Sequence, residues 1–98
     1  MPYVIQLKDK PGATDLRTKT RDAHLAYLKA NQDKLLAAGA ITADDGSGGF
    51  GGLIILDTDD RAEAQAFIDN DPFAKAGLFE SVTVTRWRKA FFDREYCL

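Results

Sequence analysis

Leu53-Ile54-Ile55-Leu56-Asp57 is the stretch on which the fold turns. Four apolar residues in a row, preceded by glycines, predict a strand. In a strand, Leu53 and Ile55 point to one face of the sheet and Ile54 and Leu56 to the other. A strand with one wet face alternates apolar and polar residues, and this one does not. Helices are therefore expected over one sheet face and a second dry cover over the other. In so short a chain the simplest cover is another copy, so a homodimer packed sheet to sheet is expected, helped by an aromatic tail.

Upstream, Asp44 to Gly52 holds five of the eight glycines and reads as a loop. Before it, Ala40-Ile41-Thr42-Ala43 reads as a short strand. Asp15 to Ala38 contains no Pro or Gly and is rich in Ala, Leu and Lys, which predicts one long helix with Gly39 just past its end. Tyr3 to Leu7 is a first strand, stopped by Pro11-Gly12. Downstream, Asp60-Arg61-Ala62-Glu63 has capping-box spacing and opens a helix to about Asn70. Asp71 precedes Pro72 and is disfavoured in the helical region. Pro72 starts a short new helix that Gly77 closes. Ser81 to Trp87 alternates at period two, as a strand does. The order β-α-β-β-α-β is that of the ferredoxin-like split βαβ motif. The fold class expected is α+β with a four-stranded antiparallel sheet, as a single domain over 1–98 with an aromatic tail at 89–98.

The chain is 45% hydrophobic and 29% charged, a globular composition rather than a disordered one. Thirteen Lys and Arg against fifteen Asp and Glu leave no positive field to hold a polyanion, so no nucleic-acid partner is expected. One cysteine, Cys97, and one histidine are too few for a zinc cluster, and no metal or cofactor is expected. An apolar run of four residues is far short of a membrane span, and the N-terminal residues lack the pattern of a signal peptide. A cytoplasmic protein with no membrane partner is expected.

Wound at about 100° per residue, the first helix gathers Arg17, His24, Leu28 and Leu35 in one arc, with Arg21, Leu25 and Leu36 beside it. The leucine stripe is the core-facing side. Its first turns carry Arg17, Arg21 and His24 where apolar residues belong. Burying such groups costs several kcal/mol unless partners or water receive them, so this face is expected to line a pocket. The plainer alternative is two arginines reaching over the rim and a capped core histidine. Asp71, held extended before Pro72, is placed either to cap the next turn or to orient an imidazole. Gly46 to Gly51 spells G-x-G-x-x-G, but a strand follows it rather than a helix, so dinucleotide binding is rejected. A lid or hairpin loop is expected instead, with Ser47 able to donate a hydrogen bond into a pocket. No G-x-S-x-G elbow is present. The Asp57, Asp59, Asp60, Asp69 and Asn70 group fits no EF-hand spacing. Seven of the ten aromatics lie from Phe67 onward and read as core and interface packing.

Arg21-Asp22-Ala23-His24-Leu25, Gly39, the Gly-rich approach to Leu53, and Asp71-Pro72-Phe73 followed by Ala76-Gly77-Leu78-Phe79 together resemble the YciI-like (YCII-related) family. The resemblance covers nearly the whole chain. It implies a ferredoxin-like fold of the dimeric α+β barrel superfamily, with an active site of one histidine and one aspartate. By motif these are His24 and Asp71, and the arginines near the histidine are Arg17 and Arg21. The tail after Trp87 is longer and more aromatic than a minimal member needs.

Together these residues suit a small cofactor-independent enzyme. An imidazole, with an ordinary pKa of about 6.5, can take and return a proton at neutral pH. Asp71 would set its tautomer, and Arg17 and Arg21 would hold a carboxylate, phenolate or enolate oxygen. Elimination or isomerisation of a small anionic or hydroxylated aromatic molecule is the expected chemistry. The alternatives are a non-catalytic ligand-binding or accessory module using the same pocket, and a cofactor-free monooxygenase.

Overall fold

A computed structural model describes residues 1–98. Its main sheet comprises β1 (Tyr3–Asp9), β2 (Leu35–Ile41), β3 (Gly51–Leu56) and β4 (Phe79–Arg86), in the order β2-β3-β1-β4 with every neighbouring pair antiparallel. Between the strands run α1 (Thr14–Ala30), α2 (Arg61–Asp69) and the single turn α3 (Pro72–Lys75). This is the ferredoxin-like βαββαβ arrangement. A two-stranded hairpin, β5 (Phe91–Phe92) with β6 (Glu95–Tyr96), ends the chain. Its turn residues Asp93 and Arg94 both have positive φ, as a type I′ turn requires. No helix is long and apolar enough to cross a membrane.

The strands keep the expected alternation. On β1, Tyr3, Ile5 and Leu7 are buried on the helix side, while Val4, Gln6 and Lys8 face the other way. On β3, Ile54 and Leu56 join the core, and Leu53 and Ile55 are half-buried on the open face. The core proper lies under α2: Ala64, Phe67 and Ile68 pack onto Ile5, Leu56 and Val84. Asp60 caps α2 by accepting the Ala62 amide at 2.9 Å. Glu63 does not complete a capping box. It accepts from the Thr58 hydroxyl instead, and Thr58 in turn takes the Asp60 amide.

The largest departure from the sequence-based expectation is the end of the first helix. It stops at Ala30 rather than Ala38, and Leu35 to Gly39 belong to a strand. Asn31 closes the helix, with its side-chain amide donating to the Tyr27 carbonyl at 2.9 Å and its backbone N–H to the Leu28 carbonyl at 3.0 Å. One 3-10 turn, Gln32–Lys34, then leads into β2. The Leu35-Leu36-Ala37-Ala38 run has good helix propensity, but pairing of Leu35 to Ile41 with the whole of β3 outweighs it. Leu35 and Leu36 therefore leave the helical stripe, and Gly39 sits in mid-strand rather than at a helix end.

Three other strands also start earlier or end later than expected, β1 among them, which continues to Asp9. β3 begins at Gly51, inside the glycine-rich stretch, a position only glycine fits, since a Cβ there would lie 2.0 Å from the Leu7 carbonyl oxygen. β4 begins at Phe79, paired with Asp9, and bulges at Glu80 before Ser81 pairs with Lys8.

Candidate functional site

α1 has no fully buried residue. The strand surface beneath it is built from small residues, Ala38 and Ala40 on β2 and Gly52 on β3, which cannot fill the gap to the helix. A cavity of about 250 Å³ remains. Its helix wall carries Arg17, Arg21, His24, Leu25 and Leu28, and Leu7, Ile54 and Phe73 line it from other elements. The polar inner face of the helix thus meets a hollow, on the arc where the sequence locates it.

Asp71 reaches this hollow from the opposite direction. Extended at φ −65° and ψ 132°, it caps α3, with Oδ1 accepting the Phe73 amide at 2.9 Å. The same carboxylate meets His24 Nδ1 at 2.8 Å through Oδ1 and 2.9 Å through Oδ2. Capping and histidine contact, alternatives in the sequence, are here performed together. Asp71 is 0% exposed, and these contacts satisfy the buried carboxylate. The Phe73 ring stacks on the imidazole with centroids 4.0 Å apart and planes 16° apart. His24 is thereby fixed at one edge and one face, and Nε2 has no hydrogen-bond partner within the chain. A carboxylate on Nδ1 selects the tautomer that protonates Nδ1 and leaves the Nε2 lone pair free.

The two arginines behave differently. Arg17 Nε and Nη2 donate to Asp9 at 2.6 and 3.1 Å, and Nη2 also donates to the Gly51 carbonyl at 3.1 Å. Its guanidinium lies 4.8 Å from the Phe73 ring centroid. Arg21, one turn along, lines the cavity and forms no hydrogen bond or ion pair within the chain. Ser47 is not brought to the site. Its hydroxyl and amide both turn back to Asp45 Oδ1, at 2.6 and 2.9 Å, in an exposed Asx turn. Those two bonds, side chain first, hold the Asp45 carboxyl below its ordinary range.

Several contributors went unassigned in the sequence. Asp9 continues the helix-side row of Tyr3, Ile5 and Leu7, so period-two alternation carried two residues past Leu7 would have found it. Phe73 adjoins the Asp71-Pro72 pair and could have been suspected as its packing partner. Tyr27 donates to the Phe67 carbonyl at 2.7 Å. Burial first, and the Asp71 charge second, raise its hydroxyl above the usual tyrosine value.

Comparison with known proteins adds three findings. The family model of the YCII-related domain matches residues 1–88. The protein YciI of Escherichia coli O6:H1 is 39% identical over 98 residues, spanning 93% of this chain and 100% of that protein, and an uncharacterised protein of Haemophilus influenzae is 34% identical over the same spans. Among solved structures, a 5-chloro-2-hydroxyhydroquinone dehydrochlorinase from Burkholderia phenoliruptrix AC1100, in complex with 2,5-dihydroxybenzoquinone, is similar with a TM-score of 0.82 and 36% identity, over 90% of this chain and 94% of that one.

Proposed function

The chain belongs to the YCII-related family, and we propose that it is a small cofactor-independent enzyme whose His24–Asp71 pair performs general acid/base chemistry on a hydroxylated, single-ring aromatic molecule. The observation that carries this is the buried Asp71 carboxylate on Nδ1 of an imidazole that lines a cavity and has Nε2 free. The similar dehydrochlorinase, named for a hydroxylated aromatic, supports elimination over isomerisation. Nε2 takes a hydroxyl proton from the ligand and returns it to the ring carbon that bears the leaving group, giving a keto tautomer; loss of a second hydroxyl proton then forms the second carbonyl as the leaving group departs with its bonding pair. Overall one proton and one leaving group are lost. Asp71 faces the imidazolium so formed, which a neutral neighbour would not stabilise. The size agrees: an apolar cavity of about 150 Å³ holds benzene, so about 250 Å³ suits one substituted ring.

The test is turnover by purified protein of hydroxylated rings bearing a leaving group, beginning with chloride release from 5-chloro-2-hydroxyhydroquinone. His24→Ala is expected to lower the rate by about 10²- to 10⁴-fold with the fold retained. Unchanged turnover in that variant overturns the mechanism. Ligand affinity flat across pH 5–8, with no turnover of any ring, favours the non-catalytic binding module instead. Oxygen uptake with a phenolic substrate favours the monooxygenase.

We also propose that a second copy covers the open sheet face, which carries the half-buried Val4, Leu53 and Ile55 with no helix over it. Light scattering is expected to give a dimer; a monomer at micromolar concentration overturns this.

A further inference from the structure

The two cavity arginines divide the work between them. Arg17 is already matched by the Asp9 carboxylate, whose side chain is 7% exposed. Turning Arg17 toward a ligand would leave that buried charge unpaired. The side chain is also hemmed in: a Cβ on Gly49 would lie 2.9 Å from Arg17 Cδ, and the Gly51 carbonyl accepts from Nη2. Its guanidinium meets the Phe73 ring that stacks on His24. Arg21 has none of these ties. It stands three residues before His24 on α1, so the two side chains are neighbours on one face, and both line the cavity.

We infer that Arg21 is the residue that reads ligand charge, selecting single-ring molecules with an ionised oxygen, while Arg17 is a positioning residue that steadies His24 through Phe73. An oxygen anion held by Arg21 brings the ring to which it belongs beside the imidazole. The remaining apolar lining gives the ring its affinity without regard to charge. The inference rests on the proposed function only in seating the ligand in this cavity, and not on its being turned over.

The experiment is calorimetric titration with two rings of one frame, 2,5-dihydroxybenzoquinone, which ionises, and 2,5-dimethoxybenzoquinone, which does not. A Cys97→Ser background removes the exposed thiol, to which quinones add. Arg21→Gln is expected to weaken the dihydroxy ring by about tenfold or more and to leave the dimethoxy ring within about twofold, with Arg21→Lys restoring most of the difference. Equal losses for both rings, or none, overturn the assignment to Arg21. Arg17→Lys is expected to shift the His24 ring resonances and to weaken both rings alike. If that variant does not fold, Asp9→Asn gives the same readout. Unmoved His24 resonances, or a loss confined to the ionised ring, overturn the positioning role. If the wild type binds neither ring, the inference fails. If it discriminates between them but turns nothing over, the inference stands and the acid/base proposal falls.

Discussion

The two long helices lie on the same side of one sheet and do opposite things. α2 buries Ala64, Phe67 and Ile68 against Ile5, Leu56 and Val84. α1 buries no residue fully and stands over a hollow. The difference is written at two levels. α2 turns apolar side chains inward, whereas α1 turns in Arg17, Arg21 and His24. The strands opposite match: large residues under α2, and Ala38, Ala40 and Gly52 under α1. One half of the molecule provides stability, and the other holds groups that stability alone would not retain there.

That contrast can be broken first where it is strongest. Ile68, 1% exposed, sits in the packed half, so Ile68→Ala is expected to destabilise the protein by about 2–5 kcal/mol in chemical denaturation. The matching change in the hollow half is the reverse kind. Ala38→Leu adds a side chain where space exists; its stability is expected to stay within about 1 kcal/mol of wild type while ring-ligand binding is lost. A large unfolding penalty for Ala38→Leu, or a small one for Ile68→Ala, removes the distinction. Tyr27 marks the border between the halves and gives the smallest effect. Losing its bond to the Phe67 carbonyl in Tyr27→Phe is expected to cost about 1 kcal/mol. The pH dependence has a definite sign. The folded tyrosine holds its proton more tightly than the unfolded one, so its stabilising share is complete below about pH 10 and declines as pH rises through the raised folded value. The stability gap between wild type and Tyr27→Phe should therefore narrow above pH 10. A gap that widens there contradicts the assignment.

Legibility from sequence follows the same boundary. Around α2 the signals are local: the Asp60 cap, the Asp71-Pro72 break and the Gly77 stop each act within a few residues, and each is found where read. The end of α1 is not local. Whether Leu35 to Gly39 coil or extend depends on β3, which begins twelve residues after Gly39. The His24–Asp71 contact spans 47 residues, so either residue can be suspected alone but only the fold joins them. Arg17 and Arg21 look equivalent on a helical wheel. The Asp9 carboxylate that separates them comes from the end of β1, an element that a wheel of α1 does not include. Ser47 was open to a better reading, since Asp45 two residues before it, among glycines, is itself a turn signal.

The Asp71 cap has one more consequence. Its Oδ1 accepts both the Phe73 amide and the His24 ring, so any redistribution of charge toward the imidazole is felt by that backbone proton. The amide resonance of Phe73 is then a built-in gauge of the histidine's charge state, readable by NMR without a label or a bound molecule. Because the amide belongs to the main chain, the gauge also survives substitution of the side chains around it.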